Sequence, residues 1–431
     1  MNRPPFTDAT LDEMRNIGDP ALEGVPAHGQ PIPKPYFAAV ANDGVATALE
    51  TEGNAWGGRA TTAAAADAQD SLKIAAGFGV KPDDLVTTAR DLFTQYGDEI
   101  SAALLLAALP ETYATAWGAR VLVAHGDLVW QLPRRIRETA LFLATVLSRD
   151  PAANYGDSVV KQDLAFFRNC AGLRLFHHML RTQLAPVKGS VNPPGRADDA
   201  LLNQEDLLGT LLTFSVTTFR VMDQFGVHWT DDEQDAYLYF WDLVGACLGI
   251  GTKTVSAKVG VSDPNKPTPL RPSTVEAASA MLDQLHARQW LRVQDDLDSG
   301  RPFPWEHLVP GRALADALLR ALSDSMPAMR KPWPAIVMRE LAPTPVRARL
   351  GLERTGLLAH SIDRVAVRTA SATPSRAATA RAATLRAMAN DVTRHAMYSF
   401  LKADGPPFKI PGLDLTQLTP LKPGPALAVN P

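Results

Sequence analysis

The sequence predicts an all-α protein. No run of residues sustains the period-two alternation of a half-buried strand, while several long stretches keep the three-to-four residue spacing of a helix face. The chain has 431 residues, 46% of them apolar and 21% charged, which is the balance of a water-exposed globular protein. A net charge of −3 leaves no basic footprint, so nucleic acid is not a predicted partner. Two cysteines, Cys170 and Cys247, exclude a disulfide framework and a zinc ribbon, and their apolar settings make them small core residues. The longest apolar run, Ile100 to Leu109, is about half of what a membrane-spanning helix requires, so no transmembrane segment is expected. The amino-terminal residues carry neither an apolar leader core nor twin arginines, which reads as a cytoplasmic protein, or a secreted one if the sequence is a mature form. A monomer is expected.

In chain order, residues 1–75 read as an extension and linker: Pro31 to Phe37 is extended and proline-rich, and order is expected to begin near Lys81. Residues 76–345 form the main domain, and 346–431 a carboxy-terminal helical segment with a proline-rich tail. Pro82, Asp83 and Asp84 open a helix with negative charge on its first turn. Gly97-Asp98 is expected to separate it from a second helix, Ile100 to Leu109, which Pro110 closes. Tyr113 to Leu132 is ambiguous between helix and short strand. Pro133 starts a clear helix that Asp150-Pro151 ends. Asn203 caps the next long helix after the Pro193-Pro194-Gly195 loop, with Glu205 and Asp206 favourably placed on its dipole. Another begins at Asp231, and its Gly245 and Gly249 permit the close approach of a second helix or a flat ligand. Residues 252–272 form a proline-rich loop. Helices follow at Thr274 to Leu297 and from Gly311, and a last one at Ser375 to Leu401 is expected on the surface.

The stretch whose residues best suit chemistry is Phe166 to Gln183, FFRNCAGLRLFHHMLRTQ, about five proline-free helical turns. Arg174, His177 and Arg181 stand at i, i+3 and i+7, so they share one face, while His178 is rotated off it by roughly 100°. An apolar site resists charging an imidazole, and two nearby cations lower its pKa further. A neutral imidazole is what a haem iron needs as a proximal ligand, and guanidinium groups can pair with the propionates. Spacing alone equally allows a core histidine beside two solvated arginines. On the helix after Pro133, Arg135, Glu138 and Thr139 lie within one turn of each other, and an exposed Arg–Glu pair is the plainer reading there. No HExxH, paired CxxC, phosphate loop or GxSxG elbow is present. Adjacent His177 and His178 diverge too far to form a metal pair, so one histidine holding a metal-bearing cofactor fits better.

The segments RRIRET, RLFHHMLR, NQEDLLGTLLTFS and WDLVGACLGIG together resemble the latex clearing protein (rubber oxygenase) group within the MpaB-type oxygenase family, over roughly residues 80 to 345. The resemblance implies a globin-like helical core around one non-covalent haem b. His177 would be its iron ligand, and Arg174 and Arg181 the flanking arginines. On the opposite side Arg135 and Thr139 match the family's pattern, but Glu138 stands where latex-clearing members carry a lysine that can occupy the sixth iron position. A glutamate there is either a general base or a partner of Arg135. Glu111 and Asp127 are further candidates for the base. The implied activity is dioxygen-dependent cleavage of the C=C bonds of poly(cis-1,4-isoprene), giving aldehyde- and ketone-ended fragments, with dioxygen and a hydrophobic isoprenoid as partners. The alternatives are an oxygenase acting on a smaller prenyl or lipophilic substrate, and a non-catalytic globin-like haem protein.

Overall fold

The structure, a computed structural model, describes residues 6–23, 60, 63–72, 81–124, 132–147, 164–192, 196–261, 270–298, 305–352 and 374–402. The protein is all-α, and no strand occurs among the described residues. Among the described residues, the helices include α1 (Asp8–Arg15), α2 (Pro82–Ala103), α3 (Leu132–Leu147), α4 (Leu164–Leu184), α5 (Gln204–Leu212), α6 (Asp231–Cys247), α7 (Val275–Asp298), α8 (Trp305–Ser325) and α9 (Pro374–Lys402). Among the described residues, no helix is long and apolar enough to cross a membrane.

The core forms where α2 lies against α6. Phe219, Tyr237, Phe240 and Trp241 pack there in edge-on pairs, with ring centroids 5.7–6.2 Å apart. Helix α6 starts on a capping box in which Thr230 and Glu233 bond each other's backbone, the Glu233 oxygen 2.8 Å from the Thr230 nitrogen. Asn203 caps α5 as its sequence predicts, its side chain accepting from the Asp206 nitrogen at 2.9 Å. Helix α3 is tied to α2 by buried Arg90, which donates to the Val146 carbonyl at 3.1 and 3.3 Å. Cys170 and Cys247 are both buried and unbridged.

Several sequence expectations are corrected. Gly97 does not end a helix: α2 runs through it with a kink at Tyr96 (φ −121°, ψ 29°). Pro110 does not close one either. A π-helical turn at Leu104–Ala108 shifts the hydrogen-bond register, and Pro110 falls in the first turn of Leu109–Tyr113, where its missing N–H has no helical partner to lose. The same device recurs at Thr213–Thr217, and the two π turns pack together, with Thr112 Oγ1 3.1 Å from Thr213 Oγ1. Helix α9 is not a surface helix, because Leu385, Ala389, Val392 and Ala396 are buried against the core. Order also begins well before Lys81. Helix α1 buries Leu11, Met14 and Arg15, and the segment after it buries Leu22. Arg15 binds Asp199 at 2.5 Å and Asp206 at 3.0 Å, and its guanidinium lies 4.4 Å from the Trp117 ring. These partners lie more than 180 residues away in the chain, which is why no local pattern announced them.

Helix α8 begins at Trp305, ahead of the Gly311 start that the sequence suggests, and carries Pro310 within it. A Cβ on Gly311 would lie 2.2 Å from the Tyr113 carbonyl oxygen, a contact that only backbone movement can relieve. Gly311→Ala gains about 1 kcal/mol of helix propensity, but overpacking costs typically 1–3 kcal/mol or more. The clash wins, and Gly311→Ala is predicted to lower the urea midpoint of unfolding without changing its slope.

Candidate functional site around His177

Arg174, His177 and Arg181 share one face of α4 as their spacing predicts, but their surroundings differ sharply. Arg174 is 1% exposed and fully engaged. Its Nε and Nη2 grip both oxygens of Asp19 at 2.7 and 2.8 Å, and its Nη1 meets Asp67 at 2.9 Å. The guanidinium lies flat on Gly249, where φ is +77° and a Cβ would come within 2.6 Å of Nη2. Gly249 thus admits a side chain, and Gly245 likewise admits Leu211. Among the described residues, Arg181 makes no ion pair with a carboxylate. It donates to the carbonyls of Leu201 and Leu202, the shortest bond being 2.7 Å, and its Nη1 is buried with no partner. Leu202 has φ +49°, a left-handed geometry that costs of order 1–3 kcal/mol and persists where neighbours over-determine it, as Arg181 does here. Burial holds the Arg181 pKa down at about 10.

His177 is partly buried between these two arginines. Burial, then the charges of Arg181 and Arg135, push its pKa down to about 3, so the ring is neutral at physiological pH. Its Nδ1 is buried and unpartnered. The Arg135 guanidinium on α3 stands 5.3 Å over the ring of Phe176, the residue before His177. Arg135 also acts electrostatically on Tyr113, whose buried hydroxyl has no partner and whose pKa is raised by burial. Tyr113 was not identified from sequence. It lies in the segment that reads ambiguously, and only the packing of α3 and α8 brings it in.

The remaining candidates divide. Glu138 accepts from Arg135 at 2.5 Å and from Arg134 at 2.9 Å, so of its two possible roles the structure displays the ion pair. Thr139 is exposed and donates to the Arg135 carbonyl at 3.0 Å, outside the Phe176–His177 surroundings. Asp127 lies outside the described residues. Glu111 is 2% exposed at the paired π turns and binds Thr217 at 2.7 Å and Arg220 at 2.5 Å, with His286 Nε2 3.3 Å away. Burial alone would raise its pKa, but His286 and Arg220 outweigh that and hold it at about 2. A carboxylate so strongly held is a weak base.

Among the described residues, no group of three or more histidine, cysteine or acidic side chains is arranged to hold a bare metal ion. A groove of about 710 Å³, lined by Met329, Trp333, Ile336 and Met388 among others, contains none of the residues above. What the site offers is one neutral imidazole, one guanidinium with an unused donor, and an unpartnered phenol. That set suits a cofactor with its own metal and its own carboxylates. His177 can ligate the metal without first losing a proton, and Arg181 Nη1, which bonds nothing among the described residues, can meet a carboxylate.

Comparison with known proteins agrees in class. Residues 99–373, more than half of the chain, match the family described as ER-bound oxygenase mpaB/B′/rubber oxygenase, catalytic domain. Among solved structures the chain is similar to latex clearing protein LCP in the closed state, with 19% identity, 71% of this chain and 74% of that chain covered, and a TM-score of 0.47. No curated protein sequence matches it. The chain therefore belongs to the mpaB/rubber oxygenase catalytic-domain family.

Proposed function

We propose that this oxygenase is haem-b-dependent and cleaves the C=C bonds of poly(cis-1,4-isoprene) or a related isoprenoid. The observation that carries this is a neutral His177 whose Nδ1 is orphaned, beside an Arg181 whose Nη1 has no partner. His177 would hold the iron, and Arg181 a propionate. Haem b, when bound, supplies the redox-active iron at which dioxygen is used. The protein's own contribution is positioning and polarity. Phe176 and the apolar side chains of α4 keep water from the imidazole, and Arg135 places a cationic donor over the Phe176 ring. Cleavage of one C=C bond by one O2 gives two C=O groups, an aldehyde and a ketone, so both oxygen atoms are accounted for and no further reductant is needed.

A smaller prenyl or lipophilic substrate is the second reading. Glu138, paired to Arg134 and Arg135, stands where latex-clearing relatives resemble one another in carrying a lysine, so this position has no amine to offer an iron.

The reduced protein with carbon monoxide is predicted to show a Soret band, and His177→Ala to lose it while keeping its helical circular dichroism. A colourless preparation that haemin cannot reconstitute would sink the proposal. Arg135→Ala is predicted to keep haem but lose about 10²-fold in carbonyl formation, the usual effect of removing a positioned donor. Thr139→Val, at an exposed position, should stay close to wild type. Polyisoprene latex assayed against short prenyl oligomers separates the two substrate readings.

The imidazole also sets a pH dependence. His177 titrates near 3 when folded, against an ordinary value of 6.5. Between those values the unfolded chain binds a proton that the folded chain does not. The associated stability is whole above 6.5 and declines as pH falls toward 3. In the cofactor-free protein, His177→Phe is predicted to lose less stability across that window, as read from urea midpoints at pH 7, 5 and 4.

A further inference from the structure

The segment 8–23 reaches the cofactor site by a route that the sequence conceals. Its backbone is stitched to the turn before α5, with the Arg15 carbonyl accepting from the Ala200 nitrogen at 2.9 Å and the Ile17 carbonyl from the Gln204 nitrogen at 3.0 Å. The buried Gln204 side chain donates to the Gly18 and Gly249 carbonyls at 2.5 and 3.1 Å and accepts from the Gly251 nitrogen at 2.8 Å. Gln204 thereby fastens the segment to the turn on which the Arg174 guanidinium lies. Gly18 packs against the Arg181 side chain, where a Cβ would stand 3.1 Å from Cδ. Between these anchors comes Asp19, 3% exposed and 155 residues from Arg174, gripping it with both oxygens and accepting from the Ala21 nitrogen at 3.2 Å. Asp19 is thus the buried countercharge next to a helix face that carries two guanidinium groups and a ring kept neutral. Removing the Asp19 charge would strip Arg174 of two of its three carboxylate bonds and leave it paired with Asp67 alone, so Arg174 would have to shift, and with it the turn of α4 that carries His177.

We propose that Asp19 is a positioning residue of the haem site: docking of segment 8–23 through the Asp19–Arg174 pair holds the His177 turn in its ligating position. Arg174 then serves as a strut between the segment and α4, and Arg181 is left to face the cofactor. The proposal rests on the haem reading above. It makes the amino-terminal segment part of the site and not a leader to it. Because coupling between sites is reciprocal, haem binding must in turn favour the docked segment.

The test is haemin titration of the full-length, haem-stripped protein, followed at the Soret band, for wild type, Asp19→Asn, Asp19→Glu and Glu99→Gln. Glu99 is another buried carboxylate paired to an arginine, Arg386, outside the site, and controls for a general loss of stability. Asp19→Asn is predicted to weaken haemin binding by about tenfold or more, the usual effect of losing a residue that orients a metal ligand. It should also shift the Soret maximum. Asp19→Glu should recover most of the affinity, and Glu99→Gln should bind as wild type does despite a lower melting temperature. Wild-type affinity and spectrum in a folded Asp19→Asn would overturn the inference and leave the haem reading intact, whereas a wild type without a Soret band removes both. Should Asp19→Asn not fold, hydrogen exchange on the wild type decides. Haemin is predicted to slow exchange in residues 8–22, and unchanged exchange there refutes the coupling.

Discussion

The Arg174 guanidinium is one of the most deeply buried charges of this core. Water is excluded from it, so its charge has to be met by protein. Two carboxylates, a flat glycine and a distant backbone turn are all arranged to meet it. The consequence for the neighbouring turn is direct. All three Arg174 nitrogens bond protein acceptors, while Arg181 Nη1 bonds none among the described residues, so two arginines that look equivalent in a helical projection have become different devices. The imidazole between them is kept neutral by burial and by the charges of Arg181 and Arg135.

The same principle organises the rest of the amino-terminal contact. Arg15 and Arg288 are each met by several acidic groups, among them Glu205 at the start of α5. That residue therefore answers two demands at once, the dipole of its own helix and the charge of buried arginines. Buried ion pairs contribute little net stability beside an apolar alternative, but they are highly specific about which groups must be in place. Here they specify that a segment from the start of the chain lies against α4 and α5.

A second polar centre sits where two π turns face each other. Glu111, Arg220, Thr217 and His286 meet there in the middle of apolar helices, and the wider π turns bring their side chains together. The carboxylate is committed to its partners. It orders the junction of α2 with α5 and is poorly suited to taking protons from a substrate.

The sequence by itself determined the helical class, most helix starts and the shared face of Arg174, His177 and Arg181, because each follows from short-range periodicity and capping. It also carried enough of RRIRET and RLFHHMLR to point to the family. It did not determine that Gly97 and Pro110 would be absorbed into continuing helices, since a π turn shows only in the hydrogen-bond register. Nor did it reveal that Asp19 and Asp67 bind Arg174, that Tyr113 comes under the charge of Arg135, or that Thr139 is exposed. Those outcomes depend on contacts between residues far apart in the chain, and on which of several charged groups becomes buried. Burial is decided by how helices pack, and only the tertiary structure settles that.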